Sequence, residues 1–238
     1  MYSYFFHEKS TPIFFPGKEP VLTRLSHSYD NPTWSANYHV HKNEIELAYI
    51  DSGMATYALD RDEYTVRKGD LLIIEPGVLH GLASDREHPA SVWSIGLMGF
   101  QLQQQPEPLQ ILPPRAVPII KAGQEEPIIY TIVNEIHRQH QLGTPMGLYL
   151  CNQLAGVLLG IYCQRFADCE VRDVVPSTSF VREIMIYINF HYNEKITLKS
   201  LATMFHRSEN YISHEFNLIR QKSSTSKVGD EGGYGEFT

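Results

Sequence analysis

The sequence predicts an α+β chain, with a β-rich N-terminal half followed by an all-helical remainder. Three observations predict it. Short runs of strand-forming residues, punctuated by turn residues, fill the first hundred positions. The spacing of apolar residues turns helical after Gly123. Two short, separately capped helices are written into residues 196–219.

The strand runs are "ELAYI", "ATYAL", "EYTV", "DLLII" and "SVWSIGL". Asp51-Ser52-Gly53, Asp60 to Asp62, Lys68-Gly69-Asp70 and Glu75-Pro76-Gly77 separate them. Several short strands at this spacing point to a sandwich or small barrel over residues 1–100. Residues 101–124 contain "QLQQQPEPLQILPPRAVP", whose prolines remove backbone donors, and are expected to be a linker with extended pieces.

Residues 125–175 read as a helical connector. In "EEPIIYTIVNEIHRQHQ", acidic residues precede Pro127, which a first helical turn tolerates. Ile128, Ile129, Ile132, Val133 and Ile136 then form an apolar stripe. In "TPMGLYLCNQLAGVLLGIYCQRF", Thr144 is a candidate N-cap with Pro145 at the first helical position. The two helices should pair antiparallel. Gly156 and Gly160 permit close approach, either within the chain or between two copies in a homodimer. The most apolar stretch, Leu148 to Tyr162, is expected to be too short for a membrane span and to be a buried helix.

Residues 177–222 hold the remaining helices, and 223–238 are polar, glycine-rich and expected to be a disordered tail. Val181, Ile184, Met185 and Ile188 stripe a first helix. Thr197 caps a second, with Leu198, Leu201, Ala202 and Phe205 on its apolar face. His206-Arg207 breaks it, and Ser208 caps a third with Ile212, Phe216 and Ile219 inward. His206 stands where such a turn often has glycine, and histidine tolerates the left-handed backbone better than most side chains. The outward side of the third helix carries Glu209, Asn210, Ser213, His214 and Asn217, short polar groups suited to base edges. Lys199 and Arg207 stand nearby for phosphates.

Composition bounds the function. A chain of 238 residues with 42% hydrophobic and 20% charged residues is long enough for one large or two small domains with their own cores. A net charge of −7 excludes a generally basic nucleic-acid binder, so a DNA-binding surface must be local. Cys151, Cys163 and Cys169 fit reduced thiols in a cytoplasmic protein better than a disulfide framework.

"ITLKSLATMFHRSENYISHEF" resembles the first helix-turn-helix of AraC/XylS-type transcription regulators. The order of segments is also similar to that family: a cupin-like sensor domain, a helical connector, then a DNA-binding domain. The family's DNA-binding domain has two helix-turn-helix units, and here the match stops near Ile219. The resemblance therefore implies an incomplete all-α domain, truncated after its first unit, with impaired specific DNA binding.

"YHVHKNEIELAYIDSG" and "GDLLIIEPGVLHG" resemble the two cupin motifs. Two histidines two apart on a strand face one side. The resemblance implies a double-stranded β-helix in which His39, His41, Glu46 and His80 converge. They would serve as ligands for a divalent Mn, Fe, Ni or Zn ion, or as polar lining of an effector pocket with no cofactor. Tyr57, Trp93 and Tyr38 are further lining candidates, suited with the histidines to a sugar or related metabolite. The aromatic N-terminal segment, Tyr4, Phe5, Phe6, Phe14 and Phe15, is either an arm over that pocket or packing on the barrel surface.

The leading expectation is a cytoplasmic, homodimeric, effector-responsive transcription regulator without enzymatic activity, whose partners are DNA and a small molecule but no membrane. The alternative is a cupin metalloenzyme, an isomerase or dioxygenase, using His39, His41, Glu46 and His80. A third reading is a shortened product without activity of its own.

Overall fold

A computed structural model of the chain describes residues 12–29, 31–33, 35–60, 62–103, 111–112, 116–167, 180–190 and 195–225. They belong to two compact units, Met1–Pro176 and Ser177–Thr238.

The first unit is built from β1 (Val21–Ser28), β2 (Ser35–His39), β3 (Ile45–Ser52), β4 (Met54–Leu59), β5 (Asp62–Arg67), β6 (Asp70–Ile74), β7 (His80–Ser84), β8 (Ser91–Met98) and β9 (Ile119–Lys121). Its antiparallel pairs are nested: β1 with β8, β2 with β7, β3 with β6, β4 with β5. That is one long hairpin rolled into two sheets, ordered β1-β8-β3-β6-β9 and β2-β7-β4-β5. It is the double-stranded β-helix expected from the motifs. Left-handed turns make the tight reversals, at Gly53 (φ 68), Gly69 (φ 80) and Gly77 (φ 81).

Alternation along β3 divides the core in two. Ile45, Leu47 and Tyr49 pack with Trp93, Ile95 and Leu97 against the helices. Ala48 and Ile50 point the other way and pack with Tyr57, Val66, Leu72 and Leu82 between the sheets. The helices are α1 (Glu126–Leu142), after a 3-10 turn at Gly123–Glu125, and α2 (Pro145–Phe166). Thr144 caps α2 by accepting from the Gly147 amide at 3.0 Å, with Pro145 next, as expected. In α1, Ile129, Ile132, Val133 and Ile136 are buried, but Ile128 is 47% exposed and leaves the expected stripe.

The structure sharpens three expectations for this half. Residues 101–124 are not only a linker, because Ile119–Lys121 pairs with β6 as a sheet edge and Lys121 binds Asp70 at 2.7 Å. Residues 104–110 and 113–115 lie outside the described residues. The helices of the connector pack on the barrel sheet and share one core with it, which is the within-chain alternative. Helix α2 runs for 22 residues and by length and composition alone could cross a membrane. Its buried face, with Cys151, Ala155, Leu158, Leu159, Tyr162 and Phe166, packs as a core helix, as expected. The glycine that brings α1 and α2 together is Gly147, which sequence reasoning missed. A Cβ there would meet the Gln139 carbonyl at 2.7 Å, whereas one at Gly160 would meet nothing within 4 Å.

Of the N-terminal aromatics, Phe14 packs edge-on against Phe100 and bridges to Leu102, while Phe15 is 41% exposed. Both belong to barrel-surface packing. Tyr4, Phe5 and Phe6 lie outside the described residues.

The second unit contains α3 (Phe180–Phe190), α4 (Leu198–Met204) and α5 (Glu209–Thr225), with Ile184, Leu201 and Ile212 as its buried centre. Thr197 and Ser200 form a reciprocal capping box at the start of α4. The helix stops because His206 takes the left-handed conformation (φ 51). The His206 amide then reaches the Thr203 carbonyl and the Arg207 amide the Ala202 carbonyl, which closes a Schellman motif. Ser208 starts α5 by accepting from the Tyr211 amide at 3.1 Å. Leu198, expected on the apolar face of α4, is 38% exposed. Helix α5 continues through Thr225, so the first residues of the expected tail, 223–225, are helical. Residues 226–238 and the connection 168–179, with Cys169, lie outside the described residues.

Candidate functional site

The barrel encloses a cavity of about 110 Å³ between its sheets. His39, Glu46, Tyr57 and His80, all expected at the site, line it. Ser26, Ser94 and Arg24 line it too, and sequence reasoning missed all three. His39 ends β2 and pairs across to His80 at the start of β7. His41 lies just beyond the strand, not on it, yet its ring centroid is 4.9 Å from that of His39 and 5.2 Å from that of His80. The four expected ligand atoms lie within 4.8 Å of one another.

Trp93 is not at the cavity, which corrects its assignment. In β8 the register turns Ser94 inward and Trp93 outward, against the helices. There it stacks on His27 at 3.9 Å with an interplanar angle of 3°, and meets His137 of α1 edge-on. Tyr38 is 40% exposed and does not line the cavity either.

Glu46 is the charged centre. Its Oε2 accepts from Arg24 Nη2 at 2.8 Å and lies 3.3 Å from His41 Nε2. Burial alone would raise this carboxyl, but the close approach of His41 and His80 and the charge of Arg24 outweigh burial and hold it well below the usual carboxylate range. Arg24 also binds Glu44, through Nε at 3.2 Å and Nη2 at 2.8 Å, so one guanidinium faces two carboxylates. Gly96 makes room for this arrangement, because a Cβ there would fall on the Glu44 carboxylate. Burial pushes the Tyr57 hydroxyl far above its ordinary range, so it is present as a neutral phenol.

His80 is 2% exposed and bonds the Val78 carbonyl through Nδ1 at 2.9 Å, which places a proton on that nitrogen. Its Nε2 lies 3.5 Å from Glu46 Oε2, without hydrogen-bond geometry, and has no hydrogen-bond partner among the described residues. In the neutral ring that nitrogen is an acceptor beside another acceptor, and calls for a donor or a cation. Three imidazoles and a carboxylate are the right donors for a divalent ion, and the carbonyl bond at Nδ1 is the usual outer support. Arg24 breaks the fit. Its Nη2 is 2.8 Å from Glu46 Oε2 and 3.3 Å from His41 Nε2. An ion at bonding distance from both of those atoms would lie within about 4 Å of a fixed positive charge. The set does not fit a divalent ion while Arg24 stays in place.

In the second unit, Lys199, Arg207, Glu209, Asn210, His214 and Asn217 are exposed and Ser213 is half-buried. Asn210, Ser213, His214 and Asn217 recur at the spacing of one helix face, while Ile212 is 1% exposed in the core. The Arg207 guanidinium lies over the Phe180 ring at 5.6 Å and the Tyr211 ring at 5.8 Å.

Comparison with known proteins identifies the frame. The family described as the AraC-like ligand binding domain matches residues 24–147. An uncharacterised HTH-type transcriptional regulator of Escherichia coli (strain K12), YdiP, is 36% identical over 219 residues, which is 91% of this chain and 72% of that protein. Among solved structures, the AraC-like transcriptional activator CuxR aligns over 79% of this chain and 69% of its own, at 12% identity and a TM-score of 0.38. A cupin protein from Bacteroides fragilis aligns over 44% of this chain and 92% of its own, at 18% identity and a TM-score of 0.30. The family match over the barrel and the regulator matched along nearly the whole sequence lead to one conclusion: the chain belongs to the AraC-like transcriptional regulators.

Proposed function

We propose that this chain senses a small, neutral, hydroxyl-rich metabolite, of sugar type, in its barrel and presents α4 and α5 as a helix-turn-helix to DNA in the cytoplasm. The observation that carries the effector class is the polarity of the cavity. Arg24 is already matched by Glu44 and Glu46, so an anionic ligand would meet uncompensated carboxylates. The acceptor at His80 Nε2 and the hydroxyls of Ser26, Tyr57 and Ser94 suit a molecule that both donates and accepts.

On the DNA side, Glu209, Asn210, Ser213, His214 and Asn217 would face base edges, with Lys199 and Arg207 at phosphates. Phosphate contacts release counterions, so DNA binding through α4 and α5 should be steeply salt-dependent. A homodimer would raise it by placing two reading helices on one duplex. The metalloenzyme alternative draws on the convergence of His39, His41, Glu46 and His80 alone, and the position of Arg24 counts against it.

The test is a thermal-shift series on the full chain with neutral sugars and polyols beside their acid counterparts. It is followed by fluorescence anisotropy with duplex DNA at two salt concentrations. A saturable stabilisation by a neutral compound, lost in Tyr57→Phe, is expected. Stabilisation by acids alone would refute the effector class. Absence of any salt-sensitive DNA binding would refute the reading role.

A further inference from the structure

We infer that Arg24 is the built-in cation of this barrel, a guanidinium held where the ligand set would otherwise recruit a divalent metal. The inference rests on the reading of the barrel cavity as the binding site and adds what occupies its charged centre.

Charge makes the case first. Glu44 and Glu46 together bring two negative charges to the site, and Arg24 contacts both at 2.8 Å. With Arg24 present, one negative charge remains uncompensated, and a divalent ion would overshoot it. Without Arg24, the two carboxylates would match a divalent ion. Position makes it second. Nη2 touches two of the four candidate ligand atoms, Glu46 Oε2 at 2.8 Å and His41 Nε2 at 3.3 Å. The surroundings hold it there. Thr23 Oγ1 donates to Glu44 Oε2, Gly96 leaves the space that Glu44 fills, and Glu44 grips Arg24 through both Nε and Nη2. Finally, His80 remains poised as a ligand, with Nδ1 fixed by the Val78 carbonyl and Nε2 without a hydrogen-bond partner among the described residues. The metal-binding geometry is retained while the guanidinium supplies the charge, so removal of one side chain should convert the site.

The experiment is a Co²⁺ titration of the tag-free full chain and of Arg24→Ala, read by the visible ligand-field bands of bound cobalt and by calorimetry. Wild type is expected to show no stoichiometric binding. Arg24→Ala is expected to bind one equivalent, at least about tenfold tighter than wild type, with binding lost again in Arg24→Ala/His80→Ala. If Arg24→Ala does not fold by circular dichroism, Arg24→Met replaces it, as it keeps the bulk and removes the charge. One equivalent of cobalt in wild type that disappears in His41→Ala would overturn the inference. So would a folded Arg24 variant that binds no better than wild type. Neither outcome touches the sugar thermal shift or the DNA titration, so failure here is separable from failure of the proposed function.

Discussion

Glu75, after β6, accepts from the Ile111 and Leu112 amides at 2.8 and 2.9 Å and ties that segment to the barrel. Burial pushes its carboxyl up, and the two amides only partly pull it back, so it titrates above its ordinary value of 4.5. A carboxyl raised in the folded state contributes stability that is complete below the unfolded value and is lost as pH rises through the folded one. Glu75→Gln keeps an acceptor and removes the charge. Its melting temperature should therefore fall less than that of wild type between pH 4.5 and pH 7, and match or exceed wild type at pH 7. A variant several degrees less stable at pH 7 would show that the charge itself is needed. His206 is the second residue-scale case, since a non-glycine at φ 51 is strained. His206→Gly should stabilise the second unit by about 0.5–1 kcal/mol in a denaturant titration followed by circular dichroism, because its backbone hydrogen bonds stay in place.

At the scale of elements, much was legible where the signal is local. Thr144, Thr197 and Ser208 are capping side chains that act on amides three residues away, and the sequence around each states the cap. The left-handed turn at His206 was readable for the same reason. Arg24 was not readable, because its partners lie 20 and 22 residues away and meet it only once β1 is registered against β8. Trp93 was misplaced for a related reason: a one-residue change of strand register reverses every facing, and composition alone does not give the register. The same long-range logic governs Tyr162. From α2, its hydroxyl donates to the Ala48 carbonyl of β3 at 2.7 Å, inside the core. Tyr162→Phe leaves that carbonyl short of a donor and should cost about 1–3 kcal/mol. The check is a lower denaturation midpoint with an unchanged slope. No change in midpoint would mean that the helix is held to the sheet by apolar contact alone.

At the scale of the whole molecule, the outer side of α2 offers a face for a second chain. Met146, Tyr149 and Val157 are 65%, 58% and 52% exposed and recur along one side of the helix. Gly156 and Gly160 lie beside them, and a Cβ at Gly160 would meet nothing within 4 Å of its own chain. A stripe of large apolar side chains next to small residues fits a second copy of the same helix, since an isologous contact pairs each patch with itself. Val157→Glu places a charge on this exposed stripe without entering the core, so the fold should persist while two equal charges face each other across the axis. Sedimentation velocity should show wild type as a dimer at micromolar concentration and Val157→Glu as a monomer with an unchanged melting profile. Under the proposed reading of DNA by α5, affinity should fall with it, because the second helix then binds from solution instead of from the effective concentration that a dimer supplies. A dimer that survives the charge would move the interface elsewhere on the surface. A monomeric wild type would rule this interface out.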